Sequence, residues 1–404
     1  MELRTDLAPR AVHAGREDLT SLGVHALPID LSSTYPFTDL DGATASLDAL
    51  VSGDKTADNP IYARLHNPTV ARFENALADL EDAEASVAFA SGMAALTAVL
   101  LAVRSDGGHV VGTRPIYGTT DHLLTCELMG LEVTWTTPDG VADAIRPDTC
   151  LVITETPANP TLALVDIAAV VAQAGDVPVL VDSTFATPVL QRPLAHGATL
   201  VMHSATKFLG GHGDVVAGVV ACGEDWARRL RQIRVATGAL LHPLAGYLLH
   251  RGLATLPLRV RRAQETATAL AARLDAHDGV GTVYHPSRPG RDGGLVGEGR
   301  QLSGPGPMLS FEILGPDGTP DGPGAHAAAA RFLAALRLAT PAVSLGSTDT
   351  LAQHPAGLTQ RVSTGDARSA GGITAGLVRV SVGLEEAADL WDDLRQAIEA
   401  GRAG

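Results

Sequence analysis

The residue with the clearest chemical potential is Lys207. Lys55 and Lys207 are the two lysines among the 30 lysines and arginines of the chain. Arginine stays protonated, whereas a lysine amine can lose its proton and form a Schiff base with an aldehyde. Lys55 lies in a polar run typical of a solvated loop, but Lys207 follows the hydroxyl residues Ser204 and Thr206 and precedes a glycine-rich turn at 210–213. This segment predicts a site for a phosphate and an aldehyde.

The Lys207 segment has two other interpretations on these residues alone. One is an ordinary lysine in a loop. The other is a nucleotide-binding hydrolase, in which glycines precede the lysine and a hydroxyl follows it. The order here is the reverse, because Ser204 and Thr206 come before Lys207 and the glycines come after it. The phosphate loop of a nucleotide hydrolase is therefore not expected.

Two further segments favour a specific cofactor. Asp182 follows the apolar run 179–181, and a carboxylate at a strand end can keep a pyridine nitrogen protonated. Ser91, Gly92 and Met93 open an apolar helical pattern, and the amides of a helix N-terminus bind phosphate. Each feature alone also fits a plain helix cap or helix start. Together with Lys207, they predict pyridoxal 5'-phosphate.

Composition excludes several classes of protein. The 404 residues carry 30 basic and 45 acidic side chains, a formal charge of −15, so a basic nucleic-acid footprint is not expected. Three separated cysteines predict neither a disulfide framework nor a metal site, and they suit a reducing cytoplasm. The uncharged stretch 85–103 is long enough to imitate a membrane span. Its central Ser91-Gly92 instead predicts a strand, a turn and a helix, and no membrane partner.

The spacing of apolar residues predicts an α/β fold. Asn67 and Pro68 predict the start of a helix. Short apolar runs then follow at 109–112, 151–154, 177–181, 199–202 and 215–221. Segments long enough for helices separate them, which favours a mostly parallel sheet covered on both faces. Residues 155–159, Asp182 and 204–207 follow three of these runs, where such sheets bind ligands.

Three regions are expected along the chain. Residues 1–60 have little periodicity and predict an extended N-terminal arm. Residues 61–252 predict a cofactor-binding domain. Residues 253–404 contain a helical pattern at 259–274, a strand candidate at 308–313 and glycine- and proline-rich stretches. These features predict a smaller C-terminal α+β domain.

Five motifs resemble a known family along most of the chain, from about Thr34 to Leu394. They are Tyr-Ala-Arg-Leu-His-Asn-Pro-Thr at 62–69, Ser-Gly-Met-Ala-Ala at 91–95, Glu-Thr-Pro-Ala-Asn-Pro-Thr at 155–161, the Lys207 segment, and Arg-Val-Ser-Val-Gly at 379–383. The chain resembles the pyridoxal-phosphate enzymes of cysteine and methionine metabolism, which include cystathionine γ-lyase, cystathionine γ-synthase, methionine γ-lyase and O-acetylhomoserine sulfhydrylase.

The resemblance implies PLP fold-type I, like aspartate aminotransferase, and a dimer of dimers. By position, Lys207 matches the lysine that binds the cofactor, and Tyr117 matches the aromatic residue that stacks on the ring and assists proton transfer. The remaining residues implied to bind the cofactor are Ser91, Gly92, Met93, Asp182, Ser204 and Thr206, with Tyr62 and Arg64 reaching the neighbouring subunit's site. Those implied to bind the amino-acid substrate are Asn159, Ser344, Asp349 and Arg379.

Departures from the family's patterns bear on the substrate. Thr119 and Arg234-Val235 stand where methionine γ-lyases usually carry a cysteine and Lys-Asp. Asp349 retains an acid that can hold a distal ammonium. We therefore expect γ-elimination on cystathionine, giving cysteine, 2-oxobutanoate and ammonia. The alternatives are γ-replacement, as in cystathionine γ-synthase or an O-acyl-homoserine sulfhydrylase, and then methionine γ-lyase.

Overall fold

The computed structural model describes residues 7–361 and 371–403, which form two β-sheets surrounded by helices. The helices are α1 Leu7–His13, α2 Leu40–Val51, α3 Pro68–Leu80, α4 Gly92–Val103, α5 Gly118–Thr125, α6 Val141–Ala144, α7 Ile167–Ala174, α8 Thr187–Leu190, α9 Glu224–Thr237, α10 Pro243–Leu253, α11 Leu256–Asp275, α12 Pro323–Ala335 and α13 Ala387–Arg402. The strands of the larger sheet are β1 Ala85–Phe89, β2 His109–Thr113, β3 Glu132–Thr136, β4 Thr149–Glu155, β5 Val179–Asp182, β6 Leu200–His203 and β7 Gly218–Cys222. Those of the smaller sheet are β8 Val280–Tyr284, β9 Met308–Ile313, β10 Thr340–Pro341, β11 Leu351–Gln353 and β12 Leu377–Ser381.

The seven-stranded sheet has the order β1-β7-β6-β5-β4-β2-β3. Pairing is parallel from β3 through β6, and antiparallel at β7, which pairs with β6 and β1. Strands β2, β4, β5 and β6 are almost wholly buried, as expected for parallel strands with helices on both faces. The predicted α/β fold with a mostly parallel central sheet is confirmed.

Helices α3 and α4, which begin at the first two sequence motifs, form as the sequence predicts. The Asn67 side chain accepts the N–H groups of Thr69 and Val70 and so caps α3, which begins at Pro68. The stretch 85–103 forms β1 and α4, joined by a turn at Ala90-Ser91. None of the helices in the described part of the chain is long and apolar enough to cross a membrane.

The region 1–60 differs from the expected extended arm because it contains two helices. Helix α1 packs Ala11 into the core formed with α3 and α11. Helix α2 begins where Asp39 accepts the N–H groups of Asp41 and Gly42. Neither this cap nor the helical spacing of the apolar residues of α2 was identified from the sequence. The boundaries of the three predicted regions stay predictions.

The smaller sheet has the order β10-β11-β12-β9-β8, and its central strands are antiparallel. Helices α11, α12 and α13 pack on it around Phe311 and Phe332. Strand β12 carries Arg379 in the middle of this sheet. The smaller sheet thus presents one charged side chain toward the end of the larger sheet.

Candidate active site

A cavity of about 540 Å³ lies at the carboxyl ends of β4, β5 and β6. Its lining residues are Ser91, Gly92, Met93, Tyr117, Thr120, Glu155, Asn159, Asp182, Thr184, Phe185, Met202, Ser204, Thr206, Lys207, Val216, Val343, Ser344, Leu345, Leu358, Thr359 and Arg379. Most of the side chains selected from the sequence therefore meet in one place.

Lys207 follows β6 and points into the cavity from a partly buried position. Its Nζ donates a hydrogen bond of 2.7 Å to the Ser344 hydroxyl oxygen. Burial, and secondly the positive charge of Arg379, lower the pKa of Lys207 to about 8. The amine is therefore much closer to its neutral, nucleophilic form at physiological pH than an exposed lysine is.

The backbone after Lys207 is held by Arg259, which the sequence analysis did not identify. Its guanidinium donates to the carbonyl oxygens of Phe208 at 2.8 Å and Gly252 at 2.7 Å. Gly211 has a φ of +77°, and a Cβ there would lie 2.0 Å from Arg259 Nη1. The glycine turn is thus needed both for its left-handed conformation and to admit this arginine.

One end of the cavity has the geometry of a phosphate site. Ser91 caps α4 by accepting the N–H of Ala94 at 3.1 Å, which places the first amides of the helix at the cavity. A Cβ on Gly92 would lie 3.1 Å from the Ser204 Cβ, so glycine allows Ser204 to approach closely. The Thr206 hydroxyl is held by Ala217, donating to its carbonyl and accepting its N–H.

Asp182 provides a buried carboxylate in the wall of the cavity. Its Oδ1 accepts the N–H of Thr184 at 3.0 Å and the hydroxyl of Thr184 at 2.5 Å. Burial raises the pKa of Asp182. A cationic ring nitrogen beside this carboxylate would offset the cost of burying its charge.

Arg379 is a buried cation with unused hydrogen-bonding capacity. It donates to Asn159 Oδ1 at 2.8 Å and to the Ser344 carbonyl at 2.9 Å. Its Nε is buried and has no hydrogen-bond partner among the described residues. Burial lowers the pKa of Arg379 to about 10. Such a guanidinium favours a carboxylate ligand.

Glu155, the last residue of β4, was not selected from the sequence beyond its place in a motif. It is 4% exposed, and its two oxygens accept the backbone N–H groups of Tyr117 and Asn159, each at 2.7 Å. Burial, and secondly the neighbouring Asp182, raise the pKa of Glu155, whereas the N–H groups of Asn159 and Tyr117 and the charge of Arg379 favour its ionised form. The signal that could have identified Glu155 is that it ends its strand, as Asp182 ends the adjacent parallel strand, so that the two residues lie opposite each other.

Three selected residues do not line this cavity. Tyr62 is 45% exposed, and Arg64 is exposed and donates to the Val235 carbonyl at 2.9 Å. Asp349 is also exposed and lines an adjacent cavity of about 660 Å³. The two cavities share wall residues, including Ser344 and Val343.

The site residues lie within a chain that matches a family model described as Cys/Met metabolism PLP-dependent enzyme, over residues 8–399. The chain belongs to this family. It is a pyridoxal-phosphate-dependent enzyme of the carbon–sulfur lyase and γ-replacement class. The family, the fold type and the cofactor that were expected from the sequence are confirmed.

Individual members of the Cys/Met-metabolism family are closely similar to the chain. It is 55% identical to an L-methionine γ-lyase of Streptomyces avermitilis, over 98% of this chain and 90% of the relative. It is 52% identical to an L-methionine γ-lyase of Brevibacterium aurantiacum, over 99% and 96%. A cystathionine γ-synthase of Xanthomonas oryzae pv. oryzae, solved with aminoacrylate and cysteine, superposes with a TM-score of 0.88 at 35% identity, covering 98% of both chains.

The cavity's own donors fit pyridoxal phosphate. The N-terminus of α4 with Ser204 suits the phosphate, Asp182 suits the ring nitrogen, and the amine of Lys207, with its lowered pKa, suits the aldehyde. Arg379 stays available for a second anion because its Nε lacks a partner among the described residues. The arrangement can therefore hold the cofactor and an amino acid together.

Proposed function

We propose that this enzyme catalyses γ-elimination on L-methionine, with water, to give 2-oxobutanoate, ammonia and methanethiol. The observation that carries the proposal is an apolar rim of the cavity, formed by Val216, Val343 and Leu358, which are 63%, 52% and 50% exposed. The carboxylates among the described lining residues are Glu155 and Asp182, both deeply buried. A thioether methyl suits this rim better than a charged group does.

The relatives support the same substrate. Two relatives more than 50% identical to the chain carry the name L-methionine γ-lyase. The sequence-based preference for cystathionine depended on Thr119, on Arg234-Val235 and on Asp349. Of these, Asp349 is exposed in the adjacent cavity, and relatives named L-methionine γ-lyase outweigh the other two departures. We therefore rank methionine above cystathionine, in contrast to the expectation from the sequence.

The side chains of this protein have distinct tasks in the proposed reaction. When bound, pyridoxal phosphate supplies an electron sink for the bonds broken at Cα and Cβ. Arg379 and Asn159 bind and orient the substrate carboxylate. The neutral amine of Lys207 would accept the Cα proton and transfer protons at Cβ, and its lowered pKa suits this work. Tyr117, which lines the cavity, would lie against the cofactor ring and donate a proton to the departing sulfur.

The proposed substrate is tested by measuring 2-oxobutanoate release from methionine and from cystathionine with the purified holoenzyme. We expect the higher kcat/KM with methionine. A higher value with cystathionine refutes the ranking, and no release from either substrate refutes γ-elimination.

Cystathionine is the second candidate. Asp349 lines a cavity that shares Val343 and Ser344 with the active-site cavity. A long substrate that extends past this shared wall would bring its distal ammonium toward Asp349. An exposed ion pair of this kind contributes only about 0.2–1 kcal/mol, so modest discrimination is expected.

We also propose that the active site is completed by a second copy of the chain, in a dimer that pairs into a tetramer. Tyr62 and Arg64 lie outside their own chain's cavity on an exposed surface. Nearby, Leu31 and Phe37 expose 65% and 53% of their surface, apolar area that a second copy of the chain would bury. Tyr62 and Arg64 would therefore be placed where they can bind the phosphate of the cofactor in the second copy's active site.

A further inference from the structure

Glu155 joins two parts of the active site through its two carboxylate oxygens. Oε2 accepts the backbone N–H of Tyr117, the residue that precedes α5. Oε1 accepts the backbone N–H of Asn159, four residues along the chain from Glu155. Since one rigid carboxylate binds both N–H groups at 2.7 Å, the backbones of Tyr117 and Asn159 are fixed relative to each other.

The fixed backbones carry the side chains that face the cofactor and the substrate. Asn159 Oδ1 accepts from Arg379, and Arg379 donates to the Ser344 carbonyl. The Ser344 hydroxyl in turn accepts from Lys207 Nζ. A continuous set of contacts therefore links Tyr117, through Glu155, to the carboxylate clamp and the reactive amine.

Burying the carboxyl group of Glu155 costs free energy that an apolar side chain at the same position would not cost. The side chain is 4% exposed and lies opposite Asp182 in the paired strands β4 and β5. Burying two neighbouring carboxyl groups is unfavourable unless each is well hydrogen-bonded. Two backbone N–H donors meet that need at Glu155, and Thr184 meets it at Asp182.

We propose that Glu155 is a positioning residue. It holds Tyr117, which is assigned to stack on the cofactor ring, and Asn159, which is assigned to bind the substrate carboxylate, in the correct position relative to each other. It acts through these two residues and not by contact with the reacting atoms. The inference rests on the proposed function for the roles of Tyr117 and Asn159. It goes beyond that function in assigning their alignment to one buried carboxylate.

The test compares Glu155→Gln with Glu155→Asp. The amide of Gln keeps one acceptor and turns a donor toward the other N–H, so Tyr117 and Asn159 cannot both be held. Asp keeps two acceptor oxygens on a side chain shorter by one methylene. The matched control is Glu312→Gln, because Glu312 is also 4% exposed and accepts a backbone N–H from Thr282, but lies on β9 in the smaller sheet.

Each variant is measured for bound cofactor, for visible circular dichroism of that cofactor, for melting temperature, and for kcat and KM separately. In Glu155→Gln we expect normal cofactor content, altered circular dichroism and a kcat/KM lowered about 100-fold, the scale of a misalignment near 1 Å. Glu155→Asp restores part of both readouts. Glu312→Gln lowers the melting temperature and leaves circular dichroism, kcat and KM unchanged.

Wild-type circular dichroism and kinetics in Glu155→Gln would overturn the proposal. If that variant does not fold, Glu155→Asp decides instead, and wild-type values there overturn it equally. Circular dichroism needs no substrate, so it tests the alignment even if the wild-type enzyme releases no 2-oxobutanoate. The failure of the proposed function would thus be seen in the wild type alone.

Discussion

Replacing Arg379 by lysine tests the substrate clamp most directly. The native guanidinium is 3% exposed and holds Asn159 Oδ1 and the Ser344 carbonyl while its Nε remains without a partner among the described residues. A lysine ammonium has three donors at one point and cannot reproduce the planar fork. To contact a substrate carboxylate, it must release one of the two protein acceptors or bind the carboxylate through one oxygen.

The expected loss follows from these contacts. A hydrogen bond to a charged group contributes about 1.5–3 kcal/mol, and the substitution removes one such contact to the carboxylate. A loss of about 1.5–3 kcal/mol corresponds to a factor of about 13–160, at 1.36 kcal/mol for each tenfold. We expect this factor mainly in KM, because the carboxylate is bound in both ground state and transition state.

The assay is a steady-state measurement of 2-oxobutanoate release, with cofactor content and melting temperature measured on the same preparations. Arg231→Lys is the control, because Arg231 is 5% exposed and binds the Gly53 carbonyl and Glu224, away from the cavity. It should lower the melting temperature without changing KM. If Arg379→Lys loses cofactor in proportion to activity, or keeps the wild-type KM, the clamp has been assigned wrongly.

Four further outcomes are expected. Lys207→Ala should abolish the visible absorbance of the lysine-bound cofactor as well as turnover; wild-type activity in this variant would refute its assignment. Mixed Arg64→Ala and Lys207→Ala protomers should recover activity after subunit exchange, because one hybrid site is intact, and no recovery contradicts a shared site. Asp349→Ala should lower kcat/KM for cystathionine relative to methionine by about fivefold or less; an unchanged ratio excludes its distal role. The pKa of Lys207 is lowered to about 8. The rate at which pyridoxal phosphate binds to the apoenzyme, followed by absorbance, should therefore rise tenfold per pH unit below about pH 8 and level off above it. A pH-independent rate refutes this expectation.

The elements that local chemistry specifies were predictable from the sequence. Helix α3 follows its cap and proline at Asn67 and Pro68, and β9 forms over the predicted residues 308–313. The cavity position also followed, because carboxyl ends of parallel strands meet at one edge. Such features depend on nearby residues and on the general geometry of sheets.

Features that depend on distant contacts were not predictable in the same way. Arg379 meets Asn159 across 220 positions in the chain, and its pairing came from a family resemblance. Asp349 and Ser344 are five positions apart, yet only Ser344 lines the active-site cavity. The role of Glu155 required knowing where the backbone of Tyr117 lies, since a glutamate at a strand end has no local pattern that names its partners.

The contact between Arg379 and Asn159 joins the smaller sheet to the larger one. Ser310 adds a second link, since its hydroxyl donates to the Pro160 carbonyl at 2.7 Å. A carboxylate bound at this junction contacts groups from both sheets, so binding and docking are thermodynamically linked: each favours the other by the same free energy. A substitution that weakens this junction is therefore expected to lower substrate affinity without touching the substrate, so KM can be changed from residues outside the cavity.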